Sequence, residues 1–266
     1  LLAMLQPVFL ESPTIAVPPV AAVRPHAVES PNGTRNDPYY WLRDDTRSNP
    51  EMIRYLESEN AYFEAMTAPY ASLTDSIYQE LVARVQQDDQ TVPFREKGHV
   101  YVTRYQTGKE HPIYSRRAVG SDAEQIILDV NREAEGKSYY RVSGREVSFD
   151  ERLLAFLEDT TGRRQYVLRF RDLTTGRDYP ERIAGLSNTV AWANDNRTIY
   201  YVENDPVTLL STRVKKHVLG TDPAKDPVVY EEKDTAYYLD VGKTGDDRYV
   251  TIELTSTLSA EFRVID

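Results

Sequence analysis

The sequence predicts a mainly β fold: an incomplete β-propeller of about three blades, preceded by an extended arm and two N-terminal α-helices. Three observations predict it. Helical apolar spacing is confined to the first third of the chain, two-residue alternation takes over from Val92, and a turn-strand-strand unit then recurs along the remainder. At 266 residues, 40% apolar and 11% aromatic, the chain has enough apolar surface to fill such a core.

The first segment, residues 1–24, is an apolar and Pro-rich lead that opens on Leu1. Its composition fits a signal remnant or a linker, although no basic stretch precedes the apolar run. Residues 25–90 hold the arm and the helices. Pro25 to Arg47 reads as an extended aromatic arm. Asn49 as N-cap and Pro50 at the first helical position then start a helix with Met52, Ile53, Leu56, Phe63 and Met66 on its apolar side. A second helix, about Leu73 to Val85, carries Ile77, Leu81 and Val82.

Residues 91–266 form the propeller domain. "SFDERLLAFLED", "WANDNRTIYYVEN" and "TGDDRYVTIEL" each place an acidic turn ahead of an arginine and a β-rich strand. Their turn aspartates, Asp150, Asp195 and Asp247, lie at spacings of 45 and 52 residues. A second strand follows in step each time, at "QYVLRFRDL", "RVKKHVLG" and "EFRVID". An earlier unit, "GHVYVTRY" through "EQIILDV", keeps the strand order without the acidic turn. Units of this length suit propeller blades. A β-sandwich of irregular hairpins shares the alternation, and the recurrence of a whole unit is what favours the propeller.

Several chemistries are excluded. There are no cysteines, hence no disulfide, thiolate nucleophile or cysteine-ligated metal. The four histidines, His26, His99, His111 and His217, lack metal-binding spacing and read as structural, and no metal is expected. A net charge of -10 disfavours nucleic acid as a partner, and the short cluster Arg213, Lys215, Lys216, His217 reads as a solvated strand face. No apolar run is long enough for a membrane span. No G-x-S-x-G elbow is present; "GLSNT" at Gly185 to Thr189 lacks the second glycine and falls in a strand. Phosphate-binding glycine motifs are missing, and pairs such as Asp44 and Asp45, or Asp246 and Asp247, read as turns. The acceptor strings at Asn32 and Asn196 match a glycosylation pattern that arises often by chance. No catalytic residues can be assembled from this chain.

The strings "DPYYWLRDDTR", "RRQYVLRFRDLTTG", "WANDNRTIYYVENDPVTLL", "HVLGTD" and "VYEEKDTAYYL" resemble the N-terminal part of the oligopeptidase B branch of the prolyl oligopeptidase family of serine peptidases. The resemblance covers about Arg24 to Asp266. It implies a propeller of seven blades in the whole protein, of which this chain holds about three, and a catalytic α/β-hydrolase domain that these residues do not contain. It also implies a serine-type endopeptidase that hydrolyses short basic peptides after Arg or Lys without a cofactor, and a fragment inactive by itself.

Within that family the propeller gates and size-filters substrate. The resemblance places Arg164, with Arg163 beside it, at a hairpin facing substrate. Tyr39, Tyr40, Trp41 and Leu42 become the anchor of the arm into the hydrolase domain, the expected partner. The compartment implied is cytoplasmic, or periplasmic if the lead belongs to an export signal. A stand-alone, non-catalytic propeller-like binding protein is the competing reading.

Overall fold

The computed structural model describes residues 16–266, and the first part of the lead lies outside the described residues. The chain divides into one compact unit ending at Gln86 and a second, Gln87–Asp266.

In the first unit the arm is a hairpin rather than an extended segment. Strands β1 (Ala27–Val28) and β2 (Arg35–Asn36) pair antiparallel, and backbone bonds from Arg24 to Pro38 and between His26 and Asp37 prolong the ladder. The turn at Gly33, with φ of 109°, lets so short a segment fold back on itself. Helix α1 (Pro50–Thr67) starts at Asn49, whose side chain accepts from the Glu51 N–H at 3.0 Å. A 3-10 turn, Ala68–Tyr70, leads into α2 (Ala71–Ala83). The apolar side expected from the sequence exists but is uncovered. Met52 alone is buried, whereas Leu56, Phe63, Met66, Leu73, Ile77 and Leu81 are exposed.

The second unit is built from blades. In the first, β3 (Asp89–Gln90) and β4 (Phe94–Glu96) both pair with β5 (His99–Tyr105), followed by β6 (Ile113–Ala118) and β7 (Glu124–Asp129). A short helix, α3 (Val130–Ala134), capped by Asp129, leads into the second blade. That blade holds β8 (Arg141–Val147), β9 (Leu153–Asp159), β10 (Tyr166–Asp172) and the start of β11 (Ile183–Trp192). The end of β11 opens the third blade, with β12 (Thr198–Asn204), β13 (Ser211–Val218) and β14 (Val228–Glu231). The fourth contributes β15 (Tyr238–Lys243), β16 (Val250–Thr255) and β17 (Ala260–Ile265). Among the described residues the first blade thus has five strands, with β3 and β4 sharing one edge of β5, the second and third have four each with β11 counted in both, and the fourth has three.

Strand β11 serves two blades. Its start pairs with β10 through Ile183 and Leu186, its end with β12 through Val190, Ala191 and Trp192, and the register shifts between Leu186 and Val190. The ladder therefore runs unbroken over seven strands, from β8 to β14.

Blade faces pack on one another, which explains the continuous apolar runs in the sequence. Strands buried on both faces lose the polar alternation of a half-exposed sheet. In "LLAFL", Leu154 and Phe156 join a core with Tyr101, Leu128 and Tyr140, while Ala155 and Leu157 join another with Phe170, Val190 and Trp192. Tyr200 and Val202 face a third core with Leu239, Ile252 and Leu254. Three interblade cores result, each fed by alternate residues of a shared strand.

Two sequence readings are corrected here. The acidic turn before β16 is organised by Asp246, whose carboxylate accepts from the Arg248 N–H, as Asp195 does for Arg197 and Asp150 for Arg152. Asp247, one residue later, instead takes the left-handed position. The cationic cluster on β13 is a solvated face only in part, since Arg213 and Lys216 are exposed but the other two residues are not. Arg213 and Lys215 are paired with Glu203 and Glu231 across the sheet, and His217 is wholly buried.

Candidate functional site

The first strands of the four blades, β4, β8, the end of β11, and β15, together with β5 and β6 of the first blade, line a cavity of about 500 Å³, within the usual range of ligand sites. Phe94, Tyr101 and Tyr114 supply aromatic wall, and Glu96, Arg145, Glu146 and Lys243 supply charge. The strands come close because β8 carries Gly144. A Cβ there would lie 2.4 Å from the Asn188 carbonyl oxygen of β11.

Arg145 stacks 3.8 Å over the Tyr114 ring. The Glu146 side chain is exposed to the solvent of the cavity, yet the protein around it still disfavours the charged carboxylate, and the negative charge of Glu96 adds to that. Together they push its pKa up from an ordinary 4.5 to about 7. Between those values the folded chain holds a proton that the unfolded chain releases, so this group costs stability as pH rises from 4.5 to 7. Glu146→Gln should remove that slope. Thermal unfolding midpoints of the variant and the native chain, compared from pH 5 to pH 8, should diverge in the variant's favour; parallel curves would contradict the assignment.

One end of the cavity is framed by the turns between the first and second strands of each blade. In every one of them a non-glycine residue occupies the left-handed region: Lys97 at φ 47°, Glu151 at 61°, Asn196 at 58° and Asp247 at 59°. Each reaches a different blade. The Glu151 carboxylate accepts from the Gly98 N–H at 3.3 Å and lies 2.8 Å from His99 Nδ1. The Asn196 side chain accepts from the Asp150 N–H at 2.8 Å. The Asp247 carbonyl accepts from Asn194 Nδ2 at 2.8 Å, and its carboxylate meets Lys97 and Lys243 at 3.1 Å each. The left-handed turn aims these side chains sideways. Their repetition is a signal that single-residue motif reading missed.

Arg163 and Arg164 do not line this cavity. They sit exposed on the turn between β9 and β10, and that turn is organised by Asp159, itself 1% exposed. Its carboxylate accepts from the N–H groups of Thr161, Gly162 and Arg164 and from the Thr161 hydroxyl. These bonds hold Asp159 below the usual carboxylate range against the opposing effect of burial. Arg164 has φ of 56°, so the loop is stiff and presents its two cations outward.

Tyr39 to Leu42 lies in the first unit. Trp41 donates from Nε1 to the Ala22 carbonyl at 2.7 Å and meets Tyr55 of α1 edge-on, while Arg24 stacks over its indole and reaches Glu51. Tyr40 stacks on His26 at 4.1 Å. The cluster thus ties the arm to α1, and Tyr39 keeps 46% of its surface exposed.

Comparison with known proteins gives this arrangement a family. Residues 18–266 match the family description "Prolyl oligopeptidase, N-terminal beta-propeller domain". Dipeptidyl aminopeptidase BI of Pseudoxanthomonas mexicana is 48% identical over 93% of this chain and 37% of its own length. Protease 2 of Moraxella lacunata is 31% identical with the same coverage, 93% and 37%. Among solved structures, oligopeptidase B from Leishmania major superposes with a TM-score of 0.88 at 30% identity, over 94% of this chain and 38% of that one. The chain therefore spans little more than a third of the length of these relatives. It belongs to the prolyl oligopeptidase family of serine peptidases and carries that family's N-terminal β-propeller domain.

Proposed function

We propose that the chain is the arm-and-propeller part of a serine-type oligopeptidase that hydrolyses short peptides after Arg or Lys. In this reading attack by an activated serine, through an acyl-enzyme, occurs in a hydrolase domain elsewhere in the protein. The propeller admits substrate by size. The observation that carries this reading is the cavity: walled by the first strands of the blades and framed at one end by their turns, it suits flexible chains and excludes folded ones.

The exposed apolar side of α1 and α2, together with Tyr39, is then the surface that packs on the hydrolase domain. Arg163 and Arg164 meet a substrate carboxylate or an acid of that domain. Arg164→Ala should lower kcat/KM on short peptides by about tenfold, the loss of one charge-assisted contact, with the fold intact by circular dichroism. Unchanged kinetics across several peptide lengths would remove Arg164 from the site.

A second reading is favoured by the relative that is 48% identical and named a dipeptidyl aminopeptidase: removal of dipeptides from a free N-terminus. One experiment separates the readings. The full-length protein is given peptides containing an internal Arg or Lys, with free and with acetylated N-termini. Cleavage after the basic residue in both supports the endopeptidase; release of dipeptides from the free form alone supports the aminopeptidase; no hydrolysis of either supports a non-catalytic binding protein.

A further inference from the structure

One cation of the cavity wall has no acid. Arg145 on β8 is half-buried, lines the cavity and stacks 3.8 Å over the Tyr114 ring. Among the described residues its guanidinium makes neither an ion pair nor a hydrogen bond, whereas Arg116 is held by Gln125 and the Glu151 carbonyl, and Arg169 and Arg171 by Glu133 and Asp178. A guanidinium on a ring face uses its π surface and leaves its fork of N–H donors for another group.

A bulge in β8 puts it there. From Val142, opposite Glu158, to Arg145, opposite Phe156, β8 advances three residues while β9 goes back two. Val142 and Val147, five residues apart, consequently pack into the same core between the first and second blades. Arg145 shares the face of Val147 and so turns toward Tyr114 of the first blade; unbroken alternation would turn it the other way.

The wall on that side is aromatic. Phe94 opposes Tyr101, and Tyr114 opposes Thr103, which sets all three rings on one face of the first blade. Phe94 stacks on Tyr101 at 5.5 Å and keeps 52% of its surface exposed. Two acids share the cavity, Glu96 and Glu146, and Glu146 feels the charge of Arg145 without an ion pair between them. With its pKa pushed up to about 7, Glu146 is a weak competitor for that cation near neutrality. Lys243, the other cation of the wall, is already engaged by Asp247 and Asn194. An open guanidinium in a cavity with exposed aromatic carbon matches a carboxylate carried beside an apolar side chain.

We propose that Arg145 is a carboxylate site of the cavity, binding the acid group of a short peptide while Phe94 receives the apolar side chain next to it. The proposal rests on the peptidase reading only in calling that peptide a substrate. The site itself stands on the open guanidinium, the bulge that aims it and the aromatic wall.

The test measures binding to the full-length protein by titration calorimetry. The probes are N-acetylated tetrapeptides without Arg or Lys, which neither the endopeptidase nor the aminopeptidase reading would cleave. One ends in phenylalanine with a free carboxylate, the second is its C-terminal amide, and the third is an amide with a glutamate next to the phenylalanine. The free acid should bind about tenfold more tightly than the plain amide, the factor of one charge-assisted contact. Arg145→Met should abolish that difference, and Arg145→Lys should keep part of it, because the charge stays and the two-pronged geometry is lost. Tight binding of the glutamate amide instead supports the site and assigns it to an acidic side chain rather than a C-terminus. Equal binding of all three probes overturns the proposal, as does a difference that persists in Arg145→Met. Should that variant fail to fold, an undiminished tenfold difference in Arg145→Lys overturns it. A protein that hydrolyses no peptide yet discriminates among the probes keeps the site and removes the peptidase reading; hydrolysis without discrimination does the reverse.

Discussion

Arg169→Ala should lower folding stability by about 3–5 kcal/mol, because it leaves Glu158 without a cation, and Glu133 and Asp178 with Arg171 alone, in a part-buried network. Arg169, on β10, keeps 10% of its side chain exposed and meets Glu133 of α3 and Glu158 of β9 at 2.8 Å each, with Asp178 as a third partner. Arg171 bridges Glu133 at 2.7 Å and Asp178 at 2.6 Å. Tyr140 donates to Glu158 at 2.7 Å, and both guanidinium groups lie over the Phe156 ring. Burial opposes ionisation of Glu133 and Asp178, but bonds and charges from the two arginines hold both below the usual carboxylate range.

Their folded pKa values lie below the unfolded ones, so the stability they contribute is present at neutral pH and lost as pH falls through the acidic range. Urea unfolding of native chain and variant at pH 7 and pH 3.5 checks both statements. The gap should be largest at pH 7 and shrink in acid. A loss below about 1 kcal/mol at pH 7 would mean that the network behaves as a surface cluster.

His217→Ala is the second large effect, at about 3 kcal/mol. His217 on β13 is fully buried, its Nδ1 lies 3.0 Å from both oxygens of Asp226, and Tyr201 donates to the same carboxylate at 2.9 Å. Phe170 stacks on the ring. Truncation leaves Asp226 buried with one donor and opens a cavity beside Phe170. His217→Asn keeps an N–H donor near the Nδ1 position and should recover part of the loss. If both variants unfolded at the same denaturant concentration, packing rather than the Asp226 bond would be the dominant contribution.

These two networks also mark where the sequence stopped being legible. The blades were readable because their strands bury both faces, and the resulting apolar runs recur with their turns. The helix start was readable because Asn49 and Pro50 act on their immediate neighbours. His217 was misread as part of a solvated cluster because its partner, Asp226, follows a turn and approaches only after β13 and its loop have folded. Arg169 and Arg171 looked like the polar positions of an alternating strand; their acids come from α3, β9 and the loop after β10. Asp247 was taken for a turn-capping residue because it adjoins the one that caps. The cavity was invisible for a similar reason, since each blade contributes only a few wall residues and none forms a local pattern. Arg163 and Arg164 were correctly placed on a hairpin, yet the stiffness given to it by Asp159 was not foreseen.

The shared strand β11 has a mechanical consequence. An opening that separates the second blade from the third must break backbone ladder bonds, whereas the first and fourth blades can lean away by losing side-chain contacts alone. The middle pair should therefore behave as one cooperative body with the slowest amide exchange and the greatest resistance to proteolysis, flanked by blades that loosen first. Motion that widens the cavity would then come from its flanks, with the seven-stranded ladder acting as the stationary jaw.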